Sequence, residues 1–232
     1  MKSFYALFAA LFFSFCLTAA AEDKKDDGFV SLFNGKDLTN WEGLPDGWTV
    51  ENGCIAGEST KEKPCKAAHY LYLKDQEPEN FHFKIAFKLT GNGNSGVQIR
   101  SEKRPNWDTY GYQADVDASG QWTGCLFHHK RGAVVKRGFD DKIAPDGKVE
   151  SHQFADPAEL LKFYKPGDWN TYEIIADGSV ITLIINGEKM CSVDDKLEKE
   201  AASKGIIALQ MHPGPPMKIE FKDIYMKTLP KK

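Results

Sequence analysis

The chain has 232 residues, of which 41% are hydrophobic, and its 30 Lys and Arg against 33 Asp and Glu give a formal net charge of −3. No basic stripe or Lys/Arg run stands out, so nothing in the composition favours a nucleic-acid partner. Beyond the first 21 residues no apolar run is long enough to cross a bilayer, and we expect no membrane span.

The N-terminal 21 residues have the features of a secretory signal peptide. One lysine precedes an apolar run, and Ala19-Ala20-Ala21 stands just before a charged segment. We therefore predict cleavage near Ala21 and a periplasmic or secreted location. Residues 22–27 are charged and predict a disordered leader. Residues 28–230 are enough for a single domain with a sizeable core.

Four cysteines remain beyond the predicted cleavage point: Cys54, Cys65, Cys125 and Cys191. In an exported protein they could pair, and three connectivities are open. A disulfide between Cys54 and Cys65 is preferred because the loop between them is short and polar. Four buried thiols are the alternative, and the spacings match no zinc-ligand pattern.

The first half of the chain reads as short strands. Residues 30–33 predict a strand, and residues 48–57 predict a hairpin turned at Asn52-Gly53. A further short strand is expected at 70–73. Residues 81–89 alternate apolar and polar side chains throughout, which predicts a strand with one face in the core.

Residues 121–136 predict a strand that ends near two adjacent histidines and is followed by a glycine turn. Residues 138–166 are charged and poor in β pattern, and long loops of this kind often form the rim of a cleft. Within that segment, residues 157–163 predict a short helix, with Asp156 as N-cap and Pro157 in the first helical position.

The C-terminal third predicts three strands over residues 169–192, with turns at Asp177-Gly178 and Asn186-Gly187. A short helix is expected at 194–204, and two final strands at 206–212 and 217–226. About ten to twelve strands with little helix indicate an all-β fold, a two-sheet antiparallel sandwich.

Residues 96–100 and 111–116 also predict two short strands, separated by a polar loop. These two and the segment 208–212 place polar side chains together on one face, because alternate residues of a strand point the same way. If the three strands share a sheet, these side chains form one concave polar surface, with His128 or His129 nearby. Such a surface suits a cleft for a hydroxylated ligand, and a buried salt-bridge network is the alternative. The residues are Gln98, Arg100, Gln113, Asp115, Gln210 and His212.

Trp122 could supply a stacking platform for a sugar ring, since an aromatic face matches the C–H face of a pyranose. Trp41, Trp48 and Trp169 are assigned to the core, and Trp107 lies in a loop. The closely spaced carboxylates of sandwich-fold glucanases are missing, and Asp115 with Asp117 forms only a shorter substitute. No nucleophile elbow, phosphate loop or zinc-protease helix motif is present.

Taken in order, several segments resemble the 3-keto-disaccharide hydrolase domain family. They are NGKDLTNWEG, WTVENG, GNSGVQIRS, GYQAD, GDWNTYEIIADGSVITLIINGE and IALQMHPGPPMKIEFKDIYMKTL. The resemblance covers nearly all of the chain beyond the signal peptide. It implies a concanavalin A-like lectin/glucanase jelly roll and a bacterial enzyme of oxidised sugars. Relatives often carry acidic residues where this chain has His128 and His129.

The chemistry of such substrates sets its own requirements. A ketone at sugar C3 acidifies the C2 proton, so a base can remove it and expel the glycosidic oxygen from C1, with water adding afterwards. Asp115 or a neutral histidine is the candidate base, His212 the candidate acid, and His128 a further catalytic candidate. Arg100 with Gln98 or Gln113 would hold the enolate or the sugar hydroxyls.

Gln210 and Trp122 complete the predicted substrate-binding set. A divalent cation bound by Asp115 and the histidines is a further possibility. The alternative function is a non-catalytic carbohydrate-binding module with the same fold, which would show an aromatic platform and few ionisable groups. A structural cell-surface protein would show no convergent cleft.

Overall fold

The computed structural model describes residues 28–231, so the predicted signal peptide and leader lie outside the described residues. Two β-sheets form the framework of this part of the chain, and their apolar faces enclose the core. The prediction of a two-sheet sandwich is confirmed. Within residues 28–231 no helix is long and apolar enough to span a membrane.

In chain order the strands are β1 (Val30–Ser31), β2 (Trp41–Gly43), β3 (Thr49–Glu51), β4 (Cys54–Ser59), β5 (His69–Leu73), β6 (Phe81–Gly91), β7 (Asn94–Arg104), β8 (Asp108–Asp117), β9 (Leu126–His128), β10 (Gly132–Val135), β11 (Phe139–Ile143), β12 (Val149–Gln153), β13 (Asn170–Asp177), β14 (Val180–Ile185), β15 (Glu188–Asp195), β16 (Ile206–Met211) and β17 (Met217–Thr228). One short helix, α1 (Pro157–Leu161), lies between β12 and β13.

The larger sheet has the strand order β12-β11-β15-β14-β13-β6-β17-β4-β3, with β1 paired to β17. The smaller sheet has the order β10-β9-β8-β7-β16-β5-β2 and carries the candidate site. Pairing is antiparallel except between β11 and β15, which run parallel. The predicted antiparallel pairing therefore holds with this one exception.

The core is built as the alternation in β6 predicts. The apolar side chains of that strand are buried, and the strand lies between β13 and β17 in the centre of the larger sheet. Burying each large apolar side chain contributes about 1.5–3 kcal/mol relative to leaving it exposed. The central position of β6 follows from this continuous apolar face.

Two predicted hairpin turns are confirmed. Asn52 and Gly53 have φ angles of 51° and 76°, and Asn186 and Gly187 have 51° and 87°. Positive φ at both central residues defines the turn type that matches the twist of paired strands. The turn between β13 and β14 is centred one residue later than predicted, because Asp177 still pairs with Val180.

The segment 138–166 is more ordered than its sequence suggests. Helix α1 is capped by Asp156, whose Oδ1 accepts from the backbone nitrogen of Ala158 at 2.7 Å, as predicted. The same segment also contains β11 and β12, which the charged sequence did not indicate. β12 is the edge strand and is exposed along its whole length, and β11 beside it has one buried residue, so neither needs an apolar alternation.

The predicted helix at 194–204 is wrong. Asp194 and Asp195 are the last residues of β15 and pair with Val180 and Ile143. The segment after β15 contains a turn, in which the nitrogen of Ala201 donates to the carbonyl of Leu197 at 2.9 Å.

The preferred disulfide is also wrong. All four cysteines of the described chain are free thiols, three of them buried and Cys65 partly buried. Cys54 lies on β4 of the larger sheet, whereas Cys65 lies in the loop before β5 and its Sγ is 3.1 Å from the carbonyl oxygen of Ala67. The alternative of unpaired thiols is what the structure shows.

Of the three tryptophans assigned to the core, Trp41 and Trp48 are buried as predicted. Trp169 is only half-buried, which corrects the prediction. Its ring lies on the outer face of the larger sheet, with the ammonium groups of Lys222 and Lys88 4.3 Å and 5.1 Å from the ring centre.

Candidate active site

The polar face of the smaller sheet is the side of β8, β7, β16 and β5 that points away from the core. Gln113 lies opposite Gln98, Gln98 lies opposite Ala208, and Gln210 lies opposite Tyr70. Strands β8 and β16 thus flank β7. The structure brings together the polar residues that the alternation predicted on these strands, with the exception of Arg100.

A chain of hydrogen bonds runs across this face. The Oγ of Ser101 donates to Gln98 at 2.7 Å, and the Nε2 of Gln98 donates to Gln113 at 2.7 Å. Gln113 in turn donates to Oδ1 of Asp115 at 2.5 Å and to Oε1 of Gln210 at 3.0 Å. All of these side chains are buried, so the network is rigid and its donors and acceptors are paired.

The network continues across β16 to the neighbouring strand. Nε2 of Gln210 donates to the hydroxyl of Tyr70 at 2.9 Å. That hydroxyl lies 3.3 Å from Nε2 of His129, whose ring belongs to the segment after β9. His129 is therefore the histidine near the polar face.

His128 lies on the opposite face, which separates it from Asp115 and His212. It pairs with Tyr112, is 2% exposed, and packs with its ring edge-on to Tyr112 and Tyr110. Burial lowers the pKa of His128 to about 4, and the positive charge of Arg131 lowers it further. A buried neutral imidazole between two tyrosine rings is a packing group.

Arg100 also leaves the polar face, because β7 has a bulge after Ile99. Its backbone has a φ of 46°, and the bulge brings Ser101 to the polar face instead. The guanidinium of Arg100 donates twice to the carbonyl oxygen of Glu79, at 2.6 and 3.1 Å. The predicted common face of Gln98 and Arg100 is therefore wrong.

Asp115 is the buried carboxyl at the end of the amide chain. It is 5% exposed, and burial raises its pKa to about 7, with the nearby charge of Asp117 raising it further. Gln113 opposes this shift by its hydrogen bond to Oδ1. A carboxyl that changes its protonation state near neutral pH is suited to acid–base chemistry.

Gly96 allows this arrangement, because it lies between Asp115 and Gln210 on the central strand. A Cβ at Gly96 would stand 2.7 Å from Cγ of Gln113 and 2.7 Å from the carbonyl oxygen of Ala114. The Gln113 side chain occupies the space above this glycine and reaches residues on both flanking strands.

An open pocket lies at the end of the polar face where β8 and β16 terminate. Its volume is about 350 Å³, and Asn94, Asp117, Trp122 and His212 are among its lining residues. Trp122 is half-buried and belongs to the loop after β8. The predicted stacking residue and the predicted acid thus share one pocket, which we call the tryptophan pocket.

One ring nitrogen of His212 is hydrogen-bonded to the backbone. Its Nδ1 lies 2.6 Å from the carbonyl oxygen of Pro213. A carbonyl oxygen only accepts, so Nδ1 carries the proton, and in the neutral ring Nε2 has a free lone pair. This tautomer makes His212 a proton acceptor at Nε2.

Asp117 faces the tryptophan pocket but serves mainly to hold the loop that carries Trp122. Its Oδ1 accepts from the backbone nitrogens of Trp122 at 2.8 Å and Thr123 at 2.9 Å, and its Oδ2 accepts from Ser119. The sequence pattern noted Asp117 only as the neighbour of Asp115. Its place in the alternation 113, 115, 117 was the signal that it shares the polar face.

Tyr70, Asn94 and Ser101 were not singled out by the sequence. Tyr70 lies on β5, whose polar-face residues are identifiable only once the strand order is known. Asn94 is in phase with Gln98 on β7, so the two-residue period was a signal for it. Within residues 28–231, no three His, Cys, Asp or Glu side chains are arranged to hold a metal ion. The predicted cation ligands, Asp115 with the histidines, do not converge.

The two-sheet sandwich is a concanavalin A-like jelly roll, and solved structures of similar fold include both a glucanase and a carbohydrate-binding module, so the fold alone does not decide the function. Residues 28–227 match the model of the 3-keto-alpha-glucoside-1,2-lyase-like domain. The chain belongs to this family, which confirms the resemblance seen in the sequence segments.

Among known proteins, a segment of 78 residues is 31% identical to a 3-keto-disaccharide hydrolase of Bacteroides thetaiotaomicron. The match covers 31% of this chain and 27% of that protein. A candidate glycosyl hydrolase of Parabacteroides distasonis superposes with a TM-score of 0.60 at 19% identity, over 91% of this chain and 98% of that one. The carbohydrate-binding module CBM66 of Bacillus subtilis has a TM-score of 0.53 at 14% identity, over 83% and 98%.

Proposed function

We propose that this protein cleaves the glycosidic bond of 3-keto-glycosides and 3-keto-disaccharides by elimination followed by addition of water. Family membership supports the substrate class. The observation that carries the proposal is the tryptophan pocket, which is lined by a stacking ring, a histidine with a free Nε2 and Asp117. Two residues before Asp117 on the same strand is the buried carboxyl of Asp115, whose pKa is about 7.

In the first step Nε2 of His212 removes the proton from C2 of the keto ring, which stacks on Trp122. The electron pair of the C2–H bond moves toward the C3 carbonyl and gives an enolate. The enolate then collapses to form the C1–C2 double bond, and the C1–O bond breaks. The departing oxygen takes the proton now held by His212, so one imidazole serves first as base and then as acid.

We assign Asp115 the role of stabilising the C3 oxygen of the keto ring. In its protonated form the carboxyl would donate a hydrogen bond to this oxygen as negative charge develops on it. Oδ1 already accepts from Gln113, which leaves Oδ2 to carry the proton. Gln113, Gln98 and Gln210 fix the position of Asp115 and would bind sugar hydroxyls only at the edge of the network, because their amides are already paired.

Water then adds across the double bond, with its hydroxyl going to C1 and its proton to C2. The product is the free 3-keto sugar, and the overall reaction is a hydrolysis. This route needs no pair of opposed carboxylates, which agrees with the single acid–base carboxyl of the polar face.

The competing function is a carbohydrate-binding module without activity. The tryptophan pocket has one aromatic ring among its lining residues, together with His212 and Asp117. A binding site for sugar rings relies on aromatic platforms, whereas ionisable groups at a pocket favour chemistry. The pocket therefore favours an enzyme over a binding module.

The test uses a 3-keto-disaccharide deuterated at C2 and its unoxidised parent, each with and without a chelator. We expect cleavage of the keto substrate only, with loss or exchange of the C2 label. His212→Gln should lower kcat at least 100-fold while the melting temperature stays unchanged. The matched control is His152→Gln, an exposed histidine on β12, which should behave as wild type.

Two results would refute the proposal. Complete cleavage with the C2 label retained would rule out elimination and indicate direct displacement at C1. Binding of the keto sugar without any cleavage would establish a binding module instead. The chelator arms report whether a divalent cation contributes to the reaction.

We also propose that the protein is exported, on the basis of the N-terminal 21 residues alone. Expression of the full chain in a bacterial host, followed by N-terminal sequencing of the protein from the periplasm and the medium, tests this. A mature N-terminus near residue 22 is expected. An intact N-terminus in the cytoplasmic fraction would contradict it.

A further inference from the structure

A second pocket lies on the other side of His212 from Trp122. Its volume is about 400 Å³, and it is bounded by the loop after β2, the loop before β5 and Asn106 of the loop between β7 and β8. We propose that this pocket, called the leaving-group pocket, binds the second sugar ring of a disaccharide substrate. The inference rests on the proposed function and specifies how its substrate lies.

Strand register places His212 between the two pockets. Met211 at the end of β16 pairs with His69 at the start of β5. His212 follows Met211 and Ala68 precedes His69, so the antiparallel register places these two residues side by side. Ala68 lines the leaving-group pocket. Sγ of Cys65, from the same loop, lies 4.0 Å from the carbonyl oxygen of Met211.

The proposed chemistry requires this position. A group that takes the proton from C2 and returns it to the departing oxygen must lie beside the C1–O bond, which joins the two rings. The keto ring then lies on the Trp122 side of His212, and the departing ring lies on the opposite side, over Ala68. A third pocket, of about 210 Å³, is lined by Trp122 and Phe139, and His212 is not among its lining residues.

The side chains of the leaving-group pocket suit a neutral hydroxylated ring. Asp46 and Glu58 are balanced by Lys63 and Lys66, so the pocket favours neither an anion nor a cation. Carboxylates and ammonium groups are the acceptors and donors that sugar hydroxyls use.

His69 forms part of the floor of this pocket and is 9% exposed. Its Nδ1 is buried and has no hydrogen-bond partner among residues 28–231. Burial lowers the pKa of His69, so the ring is neutral. The imidazole is held in place by the edge-on packing of Trp48, with 5.9 Å between ring centres. This part of the pocket lining is therefore fixed and uncharged.

The test compares two substrates that share the keto ring. One is a 3-keto-disaccharide, and the other is methyl 3-keto-glucoside, whose leaving group is methanol and does not reach the second pocket. Ala67→Trp fills the pocket from an exposed position on its lining loop. We expect KM for the disaccharide to rise at least tenfold, and kcat/KM for the methyl glycoside to stay within twofold of wild type.

The control is Ala158→Trp, the same substitution at an exposed position in α1. It should change neither substrate's kinetics, and unfolding curves of both variants establish that they fold. An equal effect of Ala67→Trp on both substrates, or no effect on either, would overturn the pocket assignment. Failure of the wild-type protein to cleave either substrate would refute the proposed function, and the assignment with it.

Discussion

Replacing Asp115 with asparagine should stabilise the protein at alkaline pH. In the folded protein the pKa of Asp115 is about 7, against an ordinary value of 3.8. Between these two values the folded state holds a proton that the unfolded chain has lost, so stability falls as the pH rises. The loss is complete above about pH 7, and the difference corresponds to at most roughly 4 kcal/mol.

Asparagine removes this pH dependence and keeps the local geometry. Its Oδ1 can still accept from Gln113, as Oδ1 of Asp115 does at 2.5 Å. The side chain is nearly inaccessible to solvent, so screening by water reduces the effect little. An ionisable group that lowers stability when charged is expected where function requires it.

The assay is the free energy of unfolding in denaturant at about pH 5 and about pH 8. From pH 5 up to the pKa of about 7 the wild type loses about 1.4 kcal/mol per pH unit, so Asp115→Asn should gain up to roughly 3 kcal/mol relative to wild type between the two conditions. Asp156→Asn is the control, because it makes the same change at an exposed helix cap where asparagine serves equally well. Its stability should follow wild type within about 0.5 kcal/mol.

Activity provides the second readout. If the protonated carboxyl donates to the C3 oxygen, wild-type kcat should decline as the pH rises through about 7. The amide of Asp115→Asn cannot ionise, so the variant should lose this decline and retain a reduced rate. Parallel stability profiles for wild type and variant would refute the raised pKa and, with it, the acid–base role of Asp115.

Three further outcomes are expected. Arg100→Met should lower the free energy of unfolding by about 2 kcal/mol, because the carbonyl of Glu79 loses two charged donors, and it should leave kcat/KM unchanged. A variant that loses activity but keeps full stability would show that Arg100 belongs to the active site. Gly96→Ala should destabilise the protein by about 1–3 kcal/mol in a melting experiment, because its Cβ would collide with Gln113. A variant as stable and active as wild type would contradict this. Thiol titration of the mature chain in denaturant should find four free cysteines, and a count of two would indicate a disulfide.

Much of the architecture could be predicted because it follows from local rules. The alternation of β6 specifies a strand with one buried face, and the Asn-Gly pairs specify tight hairpins. Helix α1 was identifiable from Asp156 and Pro157. The edge strand β12 and its neighbour β11 were not, because strands that bury few side chains need no apolar pattern.

The candidate site could be predicted only where alternation runs unbroken. Gln113, Asp115, Gln210 and His212 share a face because nothing interrupts the two-residue period of β8 and β16. In β7 the bulge at Arg100 shifts that period by one residue. A one-residue shift turns a side chain to the opposite face, which exchanges Arg100 for Ser101.

Tertiary contacts decide where this bulge forms. A Cβ at Gly205 would stand 2.5 Å from the carbonyl carbon of Arg100, and one at Gly111 would stand 2.7 Å from Cα of Ser101. The two glycines, on the chain segments that flank β7, leave room for the displaced backbone. By itself the sequence determined the two-sheet fold and the polar residues of three strands. The tertiary structure decided which of these residues meet. The face to which a strand residue points depends on where the strand is bulged, and neighbouring segments determine where a bulge fits.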